Sequence, residues 1–392
     1  SEAFAALEAA DMILFCYPVY TFLAPGQLHL FLEKVKEAAA AGQLDLSGKY
    51  AVQVTTSKHF YDVTAMDFIR GNCRDLGMHD LGAFSADMDD LLKEKGRNEA
   101  KQFFAYVLWR VKYQVYEGTK AEPVKTSGKP MAGSVAIVTD LREDPLHPGE
   151  SEKLSGMIQR FKEQSPLPCD IIDLSEFPFS GGCLGCFNCA GTGECIYKDG
   201  FDVLLRERIQ TASAIVYAFT IRDHSMGSLF KTYDDRQFCN GHRTVTMGSP
   251  IGFIVNGDLE KEPKLRMYLE ARSDVGGNFL AGIAADESGV RNLALTVSYA
   301  VHTRINLPHT FYGVGGLKIF RDLIFQMQGL MKEDHRFYRD NGFYDDFPQK
   351  KAGTILAMYL VGTLSANPKI ASKMKGKMTE YMIGPYRKAI EK

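Results

Sequence analysis

The chain repeats itself, and the repeat limits the folds open to it. Ala10-Asp-Met-Ile-Leu-Phe15 aligns with Ala212-Ser-Ala-Ile-Val-Tyr217 at an offset of 202 residues. At the same offset, Gln27-Leu-His-Leu-Phe-Leu-Glu33-Lys34 meets Leu229-Phe-Lys-Thr-Tyr-Asp-Asp235-Arg236. Further on, Leu81–Asp87 meets Leu280–Asp286 at an offset of 199, a drift that a small loop insertion or deletion explains. One apolar strand aligns easily by chance, whereas three segments in register do not, so the repeat is taken as real. At this offset residue 1 falls near residue 203, and residues 131–202 have no counterpart in the first copy. Either the chain is a fragment of a longer protein or copy one is a degenerate half-domain.

Within each copy, short apolar runs alternate with amphipathic stretches. Met12–Cys16, Tyr50–Thr55 and Leu81–Ala86 read as buried parallel strands, as do Ser134–Thr139, Cys169–Leu174, Ala214–Phe219, Ile251–Asn256 and Phe279–Ala284. The helices expected between them are Gln27–Lys36, Thr64–Leu76, Asn98–Tyr113, Glu150–Gln164, Asp202–Ala212, Lys231–Arg236, Leu265–Val275 and one starting near Val290. This alternation predicts an α/β fold with a doubly wound parallel sheet, in two tandem copies of which the first is incomplete. The Gly- and Pro-containing stretch Glu117–Gly133 predicts a linker, placed at 118–130. It separates an incomplete domain, 1–117, from a full one, 131–304. Residues 305–392 form a helical C-terminal extension that starts at the Gly-rich Gly313–Gly316, and Tyr338, Tyr344, Tyr359 and Tyr381 are expected to pack its helices.

Composition excludes several classes. Of 392 residues, 45% are hydrophobic and 24% charged, as in ordinary soluble globular chains. The formal net charge of −2 gives no support to nucleic acid or an acidic membrane as partner. Ser1–Ala10 carries no basic segment of the kind that opens a signal peptide. The strongly apolar stretch Ile355–Leu364 is too short to span a bilayer. Eight cysteines in such a chain suggest thiols and metal ligands rather than disulfides, which points to a reducing cytoplasm.

Four of those cysteines, Cys183, Cys186, Cys189 and Cys195, fall within thirteen residues of a Gly-rich loop. Thiols at three-residue steps can turn inward onto one centre. A [4Fe–4S] cluster needs four thiolates, commonly three from a compact run and one slightly beyond. The common bacterial run ends in a shorter gap followed by Pro, whereas here five residues separate Cys189 from Cys195 and Ile196 follows. Two alternatives stay open: a zinc site, although its ligands usually come as two separated pairs, and a metal-free turn.

The cysteine run and the segment Ser225-Met-Gly-Ser-Leu-Phe-Lys231-Thr-Tyr-Asp-Asp235-Arg236 together resemble the flavodoxin-like NAD(P)H-dependent FMN reductases, and among them the iron–sulfur flavoproteins. Those proteins carry a compact Cys run between second strand and second helix, and a later helix ending in Lys-x-x-x-Asp-Arg. Copy one keeps the family's flavin-side loop as Pro18-Val19-Tyr20. The resemblance covers roughly residues 1–290, and it implies a flavodoxin-like fold and FMN beside a probable [4Fe–4S] cluster. In a doubly wound sheet, ligands sit beyond the carboxyl ends of the strands at a switch point. There a phosphate wants backbone N–H groups and a helix N-terminus, which singles out Thr139, Arg142 and Ser151, with Ser151 also a candidate N-cap. The isoalloxazine ring would lie against Thr220, Ile221, Arg222, Ser225 and Met226, with Asn256 and Gly257 as the third loop. His224 and His242 are given no role.

The expected function is therefore a flavin-dependent oxidoreductase or electron-transfer flavoprotein. It would pass electrons between a reduced donor (NAD(P)H or ferredoxin), FMN and the cluster. The alternatives are an NAD(P)H-dependent FMN or quinone reductase without a cluster, and a non-enzymatic scaffold of degenerate copies. No GxGxxG, Walker or HExxH pattern is present, so a nicotinamide donor would approach the flavin only transiently. Expected partners are small-molecule or protein electron carriers, without nucleic acid or a membrane span. The assembly is expected to be a homo-oligomer or an intramolecular pseudo-dimer.

Overall fold

The computed structural model describes residues 2–119, 132–345, 347, 352–365, 380, 383–388 and 390. Most of the expected linker and Tyr381 lie outside them. The elements run α1 (Glu2–Ala9), β1 (Met12–Pro18), α2 (Gly26–Ala40), β2 (Tyr50–Ser57), α3 (Asp62–Asp75), β3 (His79–Asp87) and α4 (Glu94–Tyr113) in the first half. In the second they are β4 (Val135–Thr139), α5 (Glu150–Gln164), β5 (Cys169–Asp173), α6 (Asn188–Thr192), α7 (Phe201–Val203), β6 (Ala214–Thr220), α8 (Ser228–Arg236), β7 (Pro250–Asn256), α9 (Pro263–Val275), β8 (Phe279–Ala284) and α10 (Glu287–Thr303). Three further helices follow: α11 (Phe311–Gln326), α12 (Lys332–Asp340) and α13 (Ala352–Ser365).

The second sheet has the order β5-β4-β6-β7-β8, with every pairing parallel. Numbered within its own copy, that order is 2-1-3-4-5, the flavodoxin-like winding, with its switch point between the first and third strands. Strands β4, β6 and β7 are buried on both faces, so they read as unbroken apolar runs. The first sheet is β1-β2-β3, also parallel, and corresponds to β6-β7-β8 alone. Among the described residues β1 has no partner on its other edge, and Leu14 there is 46% exposed.

The repeat extends to fine geometry. Ile13 pairs with Ala51 as Ile215 pairs with Ile251. A bulge interrupts the β2–β3 ladder beside Gly82 and the β7–β8 ladder beside Gly282. Tyr20–Leu23 and Arg222–Ser225 form matching two-residue turns, with Thr21, Phe22, Asp223 and His224 all at positive φ. The N–H of Gly48 donates to the carbonyl of Gly77 (2.9 Å), and that of Gly248 to Gly277 (2.8 Å). The fold is thus flavodoxin-like in two tandem copies, the first with three strands. The copies also touch through equivalent residues. Trp109 of α4 packs on Tyr299 of α10 at 4.5 Å between ring centroids, as expected across a pseudo-two-fold axis.

Two expectations need correction. The helix over 202–212 opens as a single α-turn and continues π-helically over Leu204–Ile209. Gly313–Gly316 does not form a loop but lies inside α11, because bare backbone lets α11 sit close on α9. A Cβ on Gly316 would lie 2.6 Å from Val275.

Candidate functional site

Chemistry-bearing side chains gather in two places, and the first is the cysteine loop. It leaves β5, makes the short helix α6 at Asn188–Thr192 and rejoins the core at Phe201. Cys183, Cys186, Cys189 and Cys195 all line one cavity of about 400 Å³, together with a thiol that the spacing did not flag, Cys239. Cys183 and Cys186 are exposed, Cys189 and Cys195 half-buried and Cys239 buried. Burial pushes the Cys189 thiol up, and it donates to the Phe238 carbonyl at 2.7 Å. Burial pushes Cys239 up to about 12. Both are protonated at neutral pH until a positively charged centre favours the thiolate.

The loop is held by Arg236, whose side chain is 1% exposed. Its guanidinium donates twice to Asp199 (2.8 and 2.9 Å) and once to the Gly181 carbonyl (2.8 Å), so it clamps both ends of the cysteine loop onto α8. Tyr197 stacks on it at 4.5 Å. The pairing holds the Asp199 carboxyl well below the usual carboxylate range. The C-terminal helices close the other side. Asp334 of α12, fully buried, accepts from the His242 backbone N–H (3.0 Å) and lies 2.9 Å from its Nδ1. Ala190 of α6 joins Ile324, Met331, Tyr338 and Tyr344 in one apolar cluster. Tyr338 and Tyr344 therefore pack helices as expected, while Tyr359 is 73% exposed.

Among the described residues no three His, Cys, Asp or Glu side chains converge tightly enough for a single metal ion. A cluster makes a different demand. Its four irons stand apart, so the thiolates must surround a cavity rather than meet at a point. Five thiols around one cavity satisfy the donor chemistry of a cluster better than that of zinc.

The second place is the crevice beyond the carboxyl ends of β4, β6 and β7. The structure brings most of the expected flavin residues together there, each already partnered. Arg142 makes a two-pronged pair with Asp140 (2.9 and 2.8 Å). Arg222 donates to the Arg142 carbonyl at 2.8 Å and lies 3.8 Å from Asp144. Ser151 donates to Glu143. It is not the N-cap, since α5 starts at Glu150 and Gly149 stands at the cap with φ of 84°. Asn256 donates to the Glu150 carboxylate (2.8 Å), the Glu150 carbonyl (3.1 Å) and Thr220 (3.1 Å). Lys153 and then Asn256 hold the Glu150 carboxyl low. Thr139, at the end of β4, keeps a buried hydroxyl with no partner.

Ser225 closes the turn with Arg222, and the Ile221 N–H bonds the Asn256 carbonyl. A Cβ on Gly257 would lie 3.1 Å from Ile221, so this position needs glycine. Met226 is 3% exposed and belongs to the core. The crevice thus has the donors an anion or a flavin edge requires, including one orphaned hydroxyl, and the chain's own carboxylates sit on them. An FMN phosphate would take Ser151 from Glu143 and Asn256 from Glu150.

No family model matches the chain, and no curated protein matches it. Solved structures similar to it include RosB with a bound 8-demethyl-8-formylriboflavin-5'-phosphate intermediate (12% identity, 44% of this chain and 80% of that one, TM-score 0.34). Another is an FMN-dependent NADH-azoreductase from Bacillus anthracis in complex with FMN (14% identity, 44% and 100%, TM-score 0.30). A third is an NAD(P)H:quinone oxidoreductase from Methanothermobacter marburgensis (13% identity, 46% and 99%, TM-score 0.31). The fold class rests on the strand order itself.

Proposed function

We propose that the chain is a flavin-dependent oxidoreductase that moves electrons between a reduced donor, NAD(P)H or ferredoxin, FMN and a [4Fe–4S] cluster. The observation that carries the reading is the single cavity lined by Cys183, Cys186, Cys189, Cys195 and Cys239 in a flavodoxin-like frame. The first four thiolates would hold the cluster, with Cys239 beneath it. Bound, the cluster supplies one-electron and the flavin one- or two-electron chemistry. Arg236 and Asp199 fix the loop that presents the thiols, and α12 shields one side of it from water. In the crevice, Thr139, Arg142 and Ser151 would hold the phosphate. Ile221, Arg222 and Asn256 would face the ring, Gly257 would give it room, and Thr220, Ser225 and Met226 would support that loop. The divisions at 1–117, 118–130, 131–304 and 305–392 belong to this reading, as does a reducing cytoplasmic setting. Copy one would pair with copy two as a pseudo-dimer within the chain.

The test is iron and acid-labile sulfide on anaerobically purified protein. The reading expects about four of each per chain, and both lost in a Cys183→Ser, Cys186→Ser variant. A second reading, a reductase without a cluster, draws on the full exposure of Cys183 and Cys186. FMN retained with neither iron nor sulfide would select it.

A further inference from the structure

Helix α13 has the sequence Ala-Gly-Thr-Ile-Leu-Ala-Met-Tyr-Leu-Val-Gly-Thr-Leu-Ser, without a charged residue. In a water-soluble setting such a helix is buried among other elements. Here Ile355 is 46% exposed, Leu356 64%, Tyr359 73% and Leu360 61%. These positions span more than one side of the helix, so apolar surface faces outward around much of it. At ~1.5 Å per residue its fourteen residues reach about 21 Å, short of the ~30 Å hydrocarbon core. No described helix is long and apolar enough to cross a membrane.

The charge around this helix is unlike that of the rest of the chain. Residues 349–392 carry nine Lys or Arg against Glu380 and Glu391, while residues 1–348 carry 37 basic against 46 acidic residues. Lys350 and Lys351 stand just before the helix. Lys369, Lys373, Lys375 and Lys377 follow it within twelve residues of its end. The whole-chain charge of −2 hides this asymmetry.

We propose that α13 and its basic flanks dock the protein on an anionic lipid surface. The helix lies in the interface with its leucines and Ile355 among the acyl chains and Tyr359 near the headgroups. The lysines on either side meet the anionic headgroups. A short apolar element gives only marginal membrane affinity, and a polybasic segment supplies the second signal that stable attachment needs. An apolar protein groove would cover the same leucines but would not call for lysines on both flanks.

The experiment is co-sedimentation of the full chain with phosphatidylcholine vesicles, with and without phosphatidylglycerol. Binding is expected only to the anionic vesicles and is expected to fall steeply as salt rises. Leu356→Asp with Leu360→Asp should weaken it at least tenfold. Lys373→Gln with Lys375→Gln should weaken it by roughly fivefold per lysine removed. Far-ultraviolet circular dichroism checks that both variants keep the fold. Equal binding to both vesicle types, no binding at low salt, or unchanged binding in both variants overturns the proposal. So does a dimer by light scattering that dissociates in the Leu356→Asp, Leu360→Asp variant while the wild type ignores vesicles.

Discussion

Arg236 is nearly fully buried, yet it carries a charge, two bonds to Asp199 and one to Gly181. Removing one partner of such a pair leaves an uncompensated buried charge. Asp199→Asn should therefore destabilise the fold by about 3–5 kcal/mol in urea unfolding, and an effect near zero would contradict the clamp. The pH dependence follows from the same pair. A carboxyl held below its ordinary value stabilises the fold above its unfolded pKa of about 3.9. That contribution drains away as pH falls toward the lower folded value. Acid titration of the wild type should show this loss below about pH 4, and the Asp199→Asn curve should lack it. In the crevice, Glu143 holds Ser151 where a phosphate oxygen would be accepted. Glu143→Gln removes a negative charge from the path of a dianion, so FMN should bind about tenfold tighter by fluorescence quenching. Unchanged affinity would mean that phosphate does not enter there. Arg142, Ser151 and Asn256 were legible in the sequence as donors. Their pairing with Asp140, Glu143 and Glu150 was not, because it depends on side-chain directions in a loop without periodic structure.

At the scale of elements, the strands were legible because both faces of β4, β6 and β7 are buried and their sequences are unbroken apolar runs. The cysteine loop was legible for its spacing. Cys239 was not, since it lies 44 residues beyond Cys195 and reaches the cavity only through the packing of α8. Glycine misled at 313–316, where it marks close helix packing instead of a turn. It carries similar weight at Gly241, where φ is 64° and a Cβ would collide with the Asp334 carboxylate. Gly241→Ala should push α12 away from the cysteine loop, at about 1–3 kcal/mol from backbone strain alone. Thiol labelling of Cys189 and Cys239 should then accelerate, and unchanged labelling would mean that α12 does not shield the cavity.

For the whole molecule, the repeat was readable as offsets of 202 and 199, and the ladders, bulges and turns keep it. How the two copies sit together was not readable, since no local pattern encodes it. Trp109 is the single tryptophan, and it lies against Tyr299 of the other copy. Its emission therefore reports the contact between copies. Trp109→Phe should keep the fold, whereas Trp109→Ala should lower the unfolding midpoint and broaden the transition as the copies uncouple. A midpoint unmoved by Trp109→Ala would show that this contact does not join them. The central claim is that the thiol-lined cavity and the crevice of copy two serve redox cofactors. The most direct measurement is the visible absorption spectrum of anaerobically purified protein before and after dithionite. The account predicts flavin bands over a broad shoulder near roughly 400 nm that bleaches on reduction, as thiolate-bound clusters do. A colourless protein that releases no flavin on denaturation, even after soaking with FMN, would contradict it.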